Sequence, residues 1–303
     1  MRPLTARAVA FAAFALTPFL PGAQGAFAQQ APTPPRAAAP ALKTFTRDDL
    51  ASQAIRLEET FRKEARDLAR GKPAAQLAGE AAAAANAKDM DRAFKLAGGA
   101  VAADPGPAQP WFAYARMTTR GDLPDGQSYV LRERASAAAY AAYTRAGSAQ
   151  EKASALALLS DLYAAREMWR DALDASLASL ALHEDAGLRR RYAAMRAEHG
   201  FRILDYTVDN DSPAPRACFS FSEPLARRAD FAPFVAVAGA SSSALTVEDR
   251  QICVDGLSHG QSYKFTLRQG LPSSVGEALL RDAHYDIFVR DRSAQARFTG
   301  KNY

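Results

Sequence analysis

The spacing of the hydrophobic residues changes at His199 and Gly200, and this change divides the chain into two kinds of structure. Before it, apolar residues such as Leu50, Leu57 and Phe61 recur at intervals of three and four, as in amphipathic helices. After it, apolar and polar residues alternate, which is typical of half-buried strands. The sequence therefore predicts an α-helical region followed by an all-β region.

Glycine, proline and Asn/Asp residues divide the first region into separate helices. After a first apolar stripe that stops at Gly71, the predicted helices cover 74–86, 89–103, 109–119, 128–145, 150–166, 169–183 and 185–198. The residues around Ala93 and those around Ala172 are similar to the second helix of a tetratricopeptide-type repeat, in which small Ala and Ser residues let antiparallel helices pack closely. An irregular helical domain is the alternative.

The second region is predicted to be an immunoglobulin-like or macroglobulin-type β-sandwich. Short strands bounded by turn residues are the pattern of a sandwich. They cover 201–208, 216–221, 234–237, 244–247, 251–254, 261–268, 284–290 and 296–298.

The first 28 residues are predicted to be a cleavable export signal. Arg2 and Arg7 precede an apolar stretch, 8–16, and an A-x-A site ends at Ala28, so cleavage is expected between Ala28 and Gln29. The alternative is a membrane anchor, which the short, proline-interrupted apolar stretch disfavours. Cleavage would place the mature protein in the periplasm or outside the cell, with no membrane span.

The remaining chain divides into a linker and two domains. The Pro/Ala-rich composition of 29–45 predicts an extended, disordered linker. The helical repeat-like domain is predicted to cover 46–200, and the β-sandwich 201–303.

The two cysteines, Cys218 and Cys253, fall on different predicted strands. In an exported protein such a pair is expected to form a disulfide, and we expect that bond to tie the two sheets of the sandwich together. Two buried free thiols are the alternative.

The sequence offers no catalytic, cofactor or metal site, and we predict that the chain is not an enzyme. Ser258 lies in a G-x-S-x-G match, but strands on both sides indicate a hairpin turn rather than a nucleophile elbow. Spacing argues against a metal site for the acidic and histidine residues. These residues are Asp282, Asp286, Asp291, His183, His199, His259 and His284.

Two other clusters in the sequence are candidates for contact surfaces. The basic run 189–191 is predicted to be a solvated face near a helix C-terminus, where positive charge is favoured, with a partner contact as the alternative. Trp111, Phe112 and Tyr114 are predicted to be core between helices rather than a binding groove. The net charge of +5, without a basic face rich in aromatics, does not predict nucleic-acid binding.

Several blocks of the β region, taken in order, resemble the first macroglobulin-type domain of bacterial α2-macroglobulins. The blocks are 215–225, 230–237, 253–257, 267–272, 289–292 and 298–300. Members of that family are periplasmic endopeptidase inhibitors, which present a bait region and trap the protease. The resemblance therefore implies envelope defence, with envelope proteases, a peptidoglycan synthase or the rest of a longer inhibitor chain as partners.

The family's thioester is formed within a Cys-x-x-Gln type motif, which this sequence lacks. Phe221 is the third residue after Cys218, and Gly256 is the third after Cys253. The sequence also contains no bait region after the sandwich. We therefore expect an N-terminal fragment, truncated after its sandwich, that does not trap proteases by itself. The alternative is a self-contained periplasmic adaptor that binds envelope proteins through its helical repeats.

Overall fold

Helices fill the first part of the structure and antiparallel sheets fill the second, as predicted. The computed structural model describes residues 44–119, 123–124, 126–240 and 243–293. The predicted export signal, the cleavage position Ala28–Gln29, nearly all of the linker and the predicted strand 296–298 lie outside the described residues.

In the described part of the chain, the helical region contains eight helices. They are α1 (Asp48–Glu64), α2 (Ala74–Asn86), α3 (Met90–Ala103), α4 (Ala108–Met117), α5 (Ser128–Arg145), α6 (Ala149–Ala164), α7 (Trp169–Leu182) and α8 (Ala186–His199). Most ends lie within two residues of their predicted positions. Helix α1 is the exception, because it ends at Glu64 and the chain continues as turns up to Gly71.

The helices α2 to α7 form three consecutive antiparallel hairpins, α2–α3, α4–α5 and α6–α7, with α8 packed on α7. Buried serines hold the last hairpin close. Ser160 donates to the carbonyl of Ala172 at 2.8 Å and lies 2.7 Å from the hydroxyl of Ser176. The close approach predicted for small residues in a repeat stack is confirmed here.

Helix α1 is not part of a hairpin; it lies against α3 and α5. Its buried stripe of Leu50, Ala54, Leu57 and Phe61 faces them. Just before the helix, the backbone N–H of Arg47 donates to the hydroxyl of Tyr140 in α5, and its guanidinium pairs with Asp171 of α7. The N-terminal helix therefore links all three hairpins.

A glycine in α3 makes room for α1. A Cβ atom on Gly98 would lie 2.6 Å from the ring of Phe61, which is itself buried. We expect Gly98→Ala to lower the free energy of unfolding by about 1–2 kcal/mol, because overpacking outweighs the gain in helix propensity. Urea unfolding followed by circular dichroism would measure it.

Gly79 in α2 provides the matched control, since a Cβ there would meet nothing within 4 Å. Gly79→Ala should stabilise the protein by about 0.5–1 kcal/mol through helix propensity alone. Equal shifts for the two variants would contradict this account of the α1–α3 contact.

The β region is a sandwich of two antiparallel sheets, one with the strand order β1-β2-β5-β4 and one with the order β3-β6-β7. The strands are β1 (Ile203–Asp209), β2 (Arg216–Phe221), β3 (Val235–Ala238), β4 (Ala244–Glu248), β5 (Gln251–Asp255), β6 (Gln261–Leu267) and β7 (Ala283–Val289).

The core of the sandwich lies between the two sheets. The ring of Phe219 in β2 stands 5.4 Å from the ring of Phe265 in β6 and 5.2 Å from that of Tyr285 in β7, measured between centroids. In β6, Tyr263, Phe265 and Leu267 are buried. The predicted alternation of this strand is therefore confirmed.

The structure joins Cys218 and Cys253 by a disulfide, but the expectation that this bond would tie the two sheets together is wrong. The cysteines are direct partners on the neighbouring strands β2 and β5 of one sheet. Phe219 and Ile252, next to them in sequence, face the core. Because neighbouring side chains on a strand alternate between faces, the disulfide lies on the outer face of the sheet.

Candidate functional site

One concave surface of the described residues is a groove on the helical stack. It has a volume of about 490 Å³. Helices α2 and α4 form the walls of the groove. Because these two helices touch each other only slightly, α3, which lies behind both, forms the floor between them. Its position follows from the hairpin order, because α2 and α4 both run antiparallel to α3.

The residues that line the groove are mostly small and apolar. They are Ala78, Ala81, Ala82, Ala85, Asn86, Met90, Ala97, Ala100, Pro110, Ala113, Arg116 and Met117. Arg116 carries the only charge among them. Its side chain is exposed, and its guanidinium carbon stands 5.7 Å from the centre of the Phe112 ring on the same helix. The groove thus combines an apolar surface with one cation, which suits an amphipathic partner.

A polar cluster around Glu277, called the junction below, joins the helical stack to the sandwich. Glu277, in the connection between β6 and β7, is buried and accepts hydrogen bonds from two sides. The backbone N–H of Phe201 donates to its Oε2 at 2.7 Å, and Nη2 of Arg170 in α7 donates to its Oε1 at 2.9 Å. One carboxylate therefore bonds both the helical stack and the first residue of the β region.

Two more carboxylates lie near the same guanidinium. Nε of Arg170 is 3.4 Å from Glu223 and Nη1 is 3.6 Å from Asp174. The Glu223 contact is one of charge only, because that Nε has no hydrogen-bond partner. Burial, together with the neighbouring acidic groups, raises the pKa of Asp174, and Arg170 opposes this rise. Arg170 is thus the cation that compensates an acidic junction.

The chain crosses the junction through a tight turn at Gly200. A Cβ atom there would lie 2.4 Å from the carbonyl oxygen of Arg196 and 2.9 Å from Oε2 of Glu277. Beside it, the ring of His199 stacks on Trp169 with centroids 3.7 Å apart. The glycine permits the approach of Glu277, so that the helices and the sandwich meet through buried groups.

The structure places Ser258 in the turn between β5 and β6, where its backbone N–H donates to the hydroxyl of Tyr263. The flanking Gly256 and Gly260 both have positive φ, and a strand lies on each side of this turn, as predicted. The prediction of a hairpin is wrong, however, because β5 and β6 belong to different sheets and do not pair with each other. The four histidines and the three aspartates are scattered. Within the described residues, no group of three or more His, Cys, Asp or Glu side chains gathers in a way that could hold a metal ion.

The prediction that the basic run 189–191 lies near a helix C-terminus is wrong. It lies in the first half of α8, where the helix dipole does not favour positive charge. Ion pairs compensate instead, since Arg189 pairs with Glu184 and Arg191 lies 3.8 Å from Asp161. The core prediction for Trp111 and Tyr114 is confirmed, because both are fully buried. Phe112, predicted with them, is only half-buried and packs against the edge of the same core.

Neither the groove nor the junction is predicted by a single sequence motif. The run of small residues from Ala81 to Ala85 does indicate a helix that other helices can approach closely. By contrast, Arg170 and Glu277 are 107 positions apart, and no pattern connects them.

None of the helices in the described part of the chain combines the length and the hydrophobicity that a membrane span requires. No family model and no curated protein matches the chain. Among solved structures, it is similar to the crystal structure of native alpha-2-macroglobulin from Escherichia coli spanning domains MG0-NIE-MG1, with 19% sequence identity and a TM-score of 0.28. The match covers 33% of this chain and 34% of that chain, so it spans about a third of each. A likeness of this extent does not assign the chain to a family.

Proposed function

We propose that this chain is a non-catalytic, protein-binding scaffold of the bacterial cell envelope, of the macroglobulin type. The helical stack binds a partner protein in its groove, and the junction fixes the bound partner relative to the sandwich. The observation that carries this proposal is the groove of about 490 Å³ on a stack that is joined to the sandwich through the buried Glu277.

The groove supports protein binding through its lining. Met90 and Met117 lie in this lining, and Met is enriched in protein interfaces. The exposed Arg116 would supply orientation, since Arg is enriched in protein interfaces.

Blocking the groove tests this function. With the mature chain immobilised and exposed to an envelope extract, Ala82→Arg is expected to lower retention of the bound partner by at least tenfold, because a long charged side chain would enter the groove. Ala83→Arg is the matched control. Ala82 lines the groove and Ala83 does not, although both are exposed on α2.

Quantitative mass spectrometry of the retained proteins would compare the two variants. A partner that binds the wild type and the Ala83→Arg variant equally, and is lost from Ala82→Arg, would support the function. Equal retention by all three proteins would contradict it.

A second candidate function is that of the N-terminal part of a periplasmic α2-macroglobulin-like endopeptidase inhibitor. The specific observation in its favour is that blocks of the resemblance form the interior of the sandwich, including Phe219 and Phe221 of β2 and Val254 of β5. Its partners would be envelope proteases, a peptidoglycan synthase or the remainder of the inhibitor. Export with cleavage after Ala28 belongs to both candidates, and the Cys218–Cys253 disulfide is consistent with it.

Protease trapping tests a property that the two candidates share, because neither is expected to trap a protease by itself. With neither a bait region nor a thioester motif, the purified chain is expected to leave the digestion of a large protein substrate unchanged. A trapped protease would lose activity on the large substrate while it keeps activity on a small peptide. That pattern, if the chain produced it, would contradict the non-trapping scaffold.

A further inference from the structure

We propose that the free edge of β1 binds residues 295–301 of this same chain, as a strand that runs antiparallel to β1. This segment lies outside the described residues, and the sequence predicts a strand at 296–298 within it. The inference goes beyond the proposed function, because it concerns the sandwich and not the groove. It names the occupant of a sheet edge and the direction and register in which the occupant binds.

Strand β1 is an edge strand with exposed apolar side chains. Within the described ranges it pairs with β2 alone, so the backbone groups on its other side are open to a further strand. Leu204 is 58% exposed and Tyr206 is 38% exposed. The ring of Tyr206 lies 5.3 Å from that of Tyr285 in β7, measured between centroids. The free edges of β1 and β7 are therefore on the same side of the sandwich.

Beyond β7, the chain is held against the turn that follows β1. The backbone N–H of Arg290 donates to Oδ1 of Asn210 at 3.0 Å, and that of Ser293 donates to Oδ1 of Asp211 at 3.1 Å. Nε of Arg292 also donates to the carbonyl of Asp211, at 3.2 Å. These bonds place the chain just past the C-terminal end of β1, and a segment that continues from there along β1 runs antiparallel to it.

The same contacts disfavour a tight hairpin back onto β7. Such a turn is closed by a hydrogen bond from the N–H of its fourth residue to the carbonyl of its first, which here would join Ser293 to Arg290. The Ser293 N–H bonds Asp211 instead, and this described stretch forms no turn. On the outer face of β7, Asp286 already lies across from Lys264 of β6. The course of the chain therefore favours the edge of β1.

The register follows from the bond between Ser293 and Asp211. With these two residues side by side, an antiparallel strand brings Phe298 directly across from Tyr206. Opposite side chains of an antiparallel pair share one face, and Tyr206 shares its face with the buried Phe219 of β2. Phe298 would therefore cover Tyr206 at the open side of the core. A slip by one residue would turn Phe298 to the outer face.

Charge supports the same register. On the outer face of β1, the exposed Asp205 lies across from Ser220 of β2, so that β2 places no cation opposite it. In the proposed register, Arg297 lies across from Thr207 and is a diagonal neighbour of Asp205. Diagonal neighbours are about 7–8 Å apart, which a long side chain can span. Arg297 would thus supply the cation that β2 does not.

Hydrogen exchange of the full mature chain, measured residue by residue by NMR, tests the added strand. In the wild type, we expect protection of the β1 amides that point away from β2 as well as of those that face it. Phe298→Asp should speed exchange of the outward amides about tenfold, because it places a charge on the inner face. The matched control is Phe288→Asp on β7, at a ring that is 60% exposed, which should leave β1 unchanged.

A charge swap tests the register. Arg297→Glu should speed exchange of the outward β1 amides about threefold, because it replaces an attraction to Asp205 by a repulsion. Adding Asp205→Lys should restore the wild-type rate, whereas Asp286→Lys on β7 is the control that should not. Because Arg297 is assigned to the outer face, this variant tests the strand even if Phe298→Asp does not fold.

Each outcome supports or overturns the inference. Fast exchange of the outward β1 amides in the wild type, or protection that survives both Phe298→Asp and Arg297→Glu, would overturn the added strand. Loss of protection in β7 instead, with rescue by Asp286→Lys, would overturn the choice of edge. Rescue by neither lysine variant would overturn the register. None of these results bears on the groove, so the proposed function is tested separately.

Discussion

Replacing both Cys218 and Cys253 by alanine is expected to lower the free energy of unfolding by about 3–4 kcal/mol, as the chain-entropy model gives for a loop of this length. The two residues are 35 positions apart, and strands β3 and β4 lie within the loop that the bond closes. Without the bond, this loop gains conformational freedom in the unfolded chain. Urea unfolding of the oxidised wild type and the double variant would measure the loss.

Reduction of the wild type provides the control. Dithiothreitol should lower the unfolding midpoint of the wild type to near that of the double variant, and should leave the variant unchanged. Because the bond lies within one sheet, the Phe219–Phe265 contact between the sheets does not depend on it. The near-ultraviolet circular dichroism of the reduced protein should therefore remain native. Identical midpoints for the oxidised wild type and the double variant would contradict the prediction.

Glu277→Ala is expected to lower the free energy of unfolding by about 3 kcal/mol, in line with the loss of one partner from a buried, hydrogen-bonded charge pair. The substitution leaves the backbone N–H of Phe201 without its acceptor and removes the shortest contact of Arg170. The value is at the lower end of the range for buried pairs because the Arg170 side chain is 24% exposed and keeps Glu223 nearby.

Two further variants make this prediction specific. Glu277→Gln keeps one acceptor but turns an amide donor toward either Arg170 or the N–H of Phe201, so its loss should be smaller than that of the alanine variant. Glu198→Gln, at a side chain that is 77% exposed beside His199, should change stability by less than about 0.5 kcal/mol. If Glu277→Ala proved as mild as Glu198→Gln, the junction would not depend on this carboxylate.

The secondary structure was predictable because it follows from short-range spacing. The stripe from Leu50 to Phe61 and the alternation in β6 each lie within one element, and each formed the predicted element. The pairing of the cysteines was also predictable, because only two are present. Their place within one sheet was not, since the order β1-β2-β5-β4 depends on which strands meet across long loops.

The candidate site depends on long-range contacts of the same kind. The groove arises because α2 and α4 are held apart over α3, and the sequence of each helix alone does not contain this separation. The junction requires Arg170 of α7 to meet a loop residue, Glu277, far along the chain. A single charged residue in a loop has no periodicity, so only the folded structure reveals that it is buried.

The position of α1 also has a consequence for how the protein unfolds. In a simple repeat array, each unit touches only its neighbours, and the ends can fray while the middle remains intact. Here Arg47 and the helix that follows it contact α3, α5 and the start of α7. Detachment of one hairpin therefore disturbs the helix that also covers the others, so that amide protons throughout the stack should exchange through a common cooperative opening.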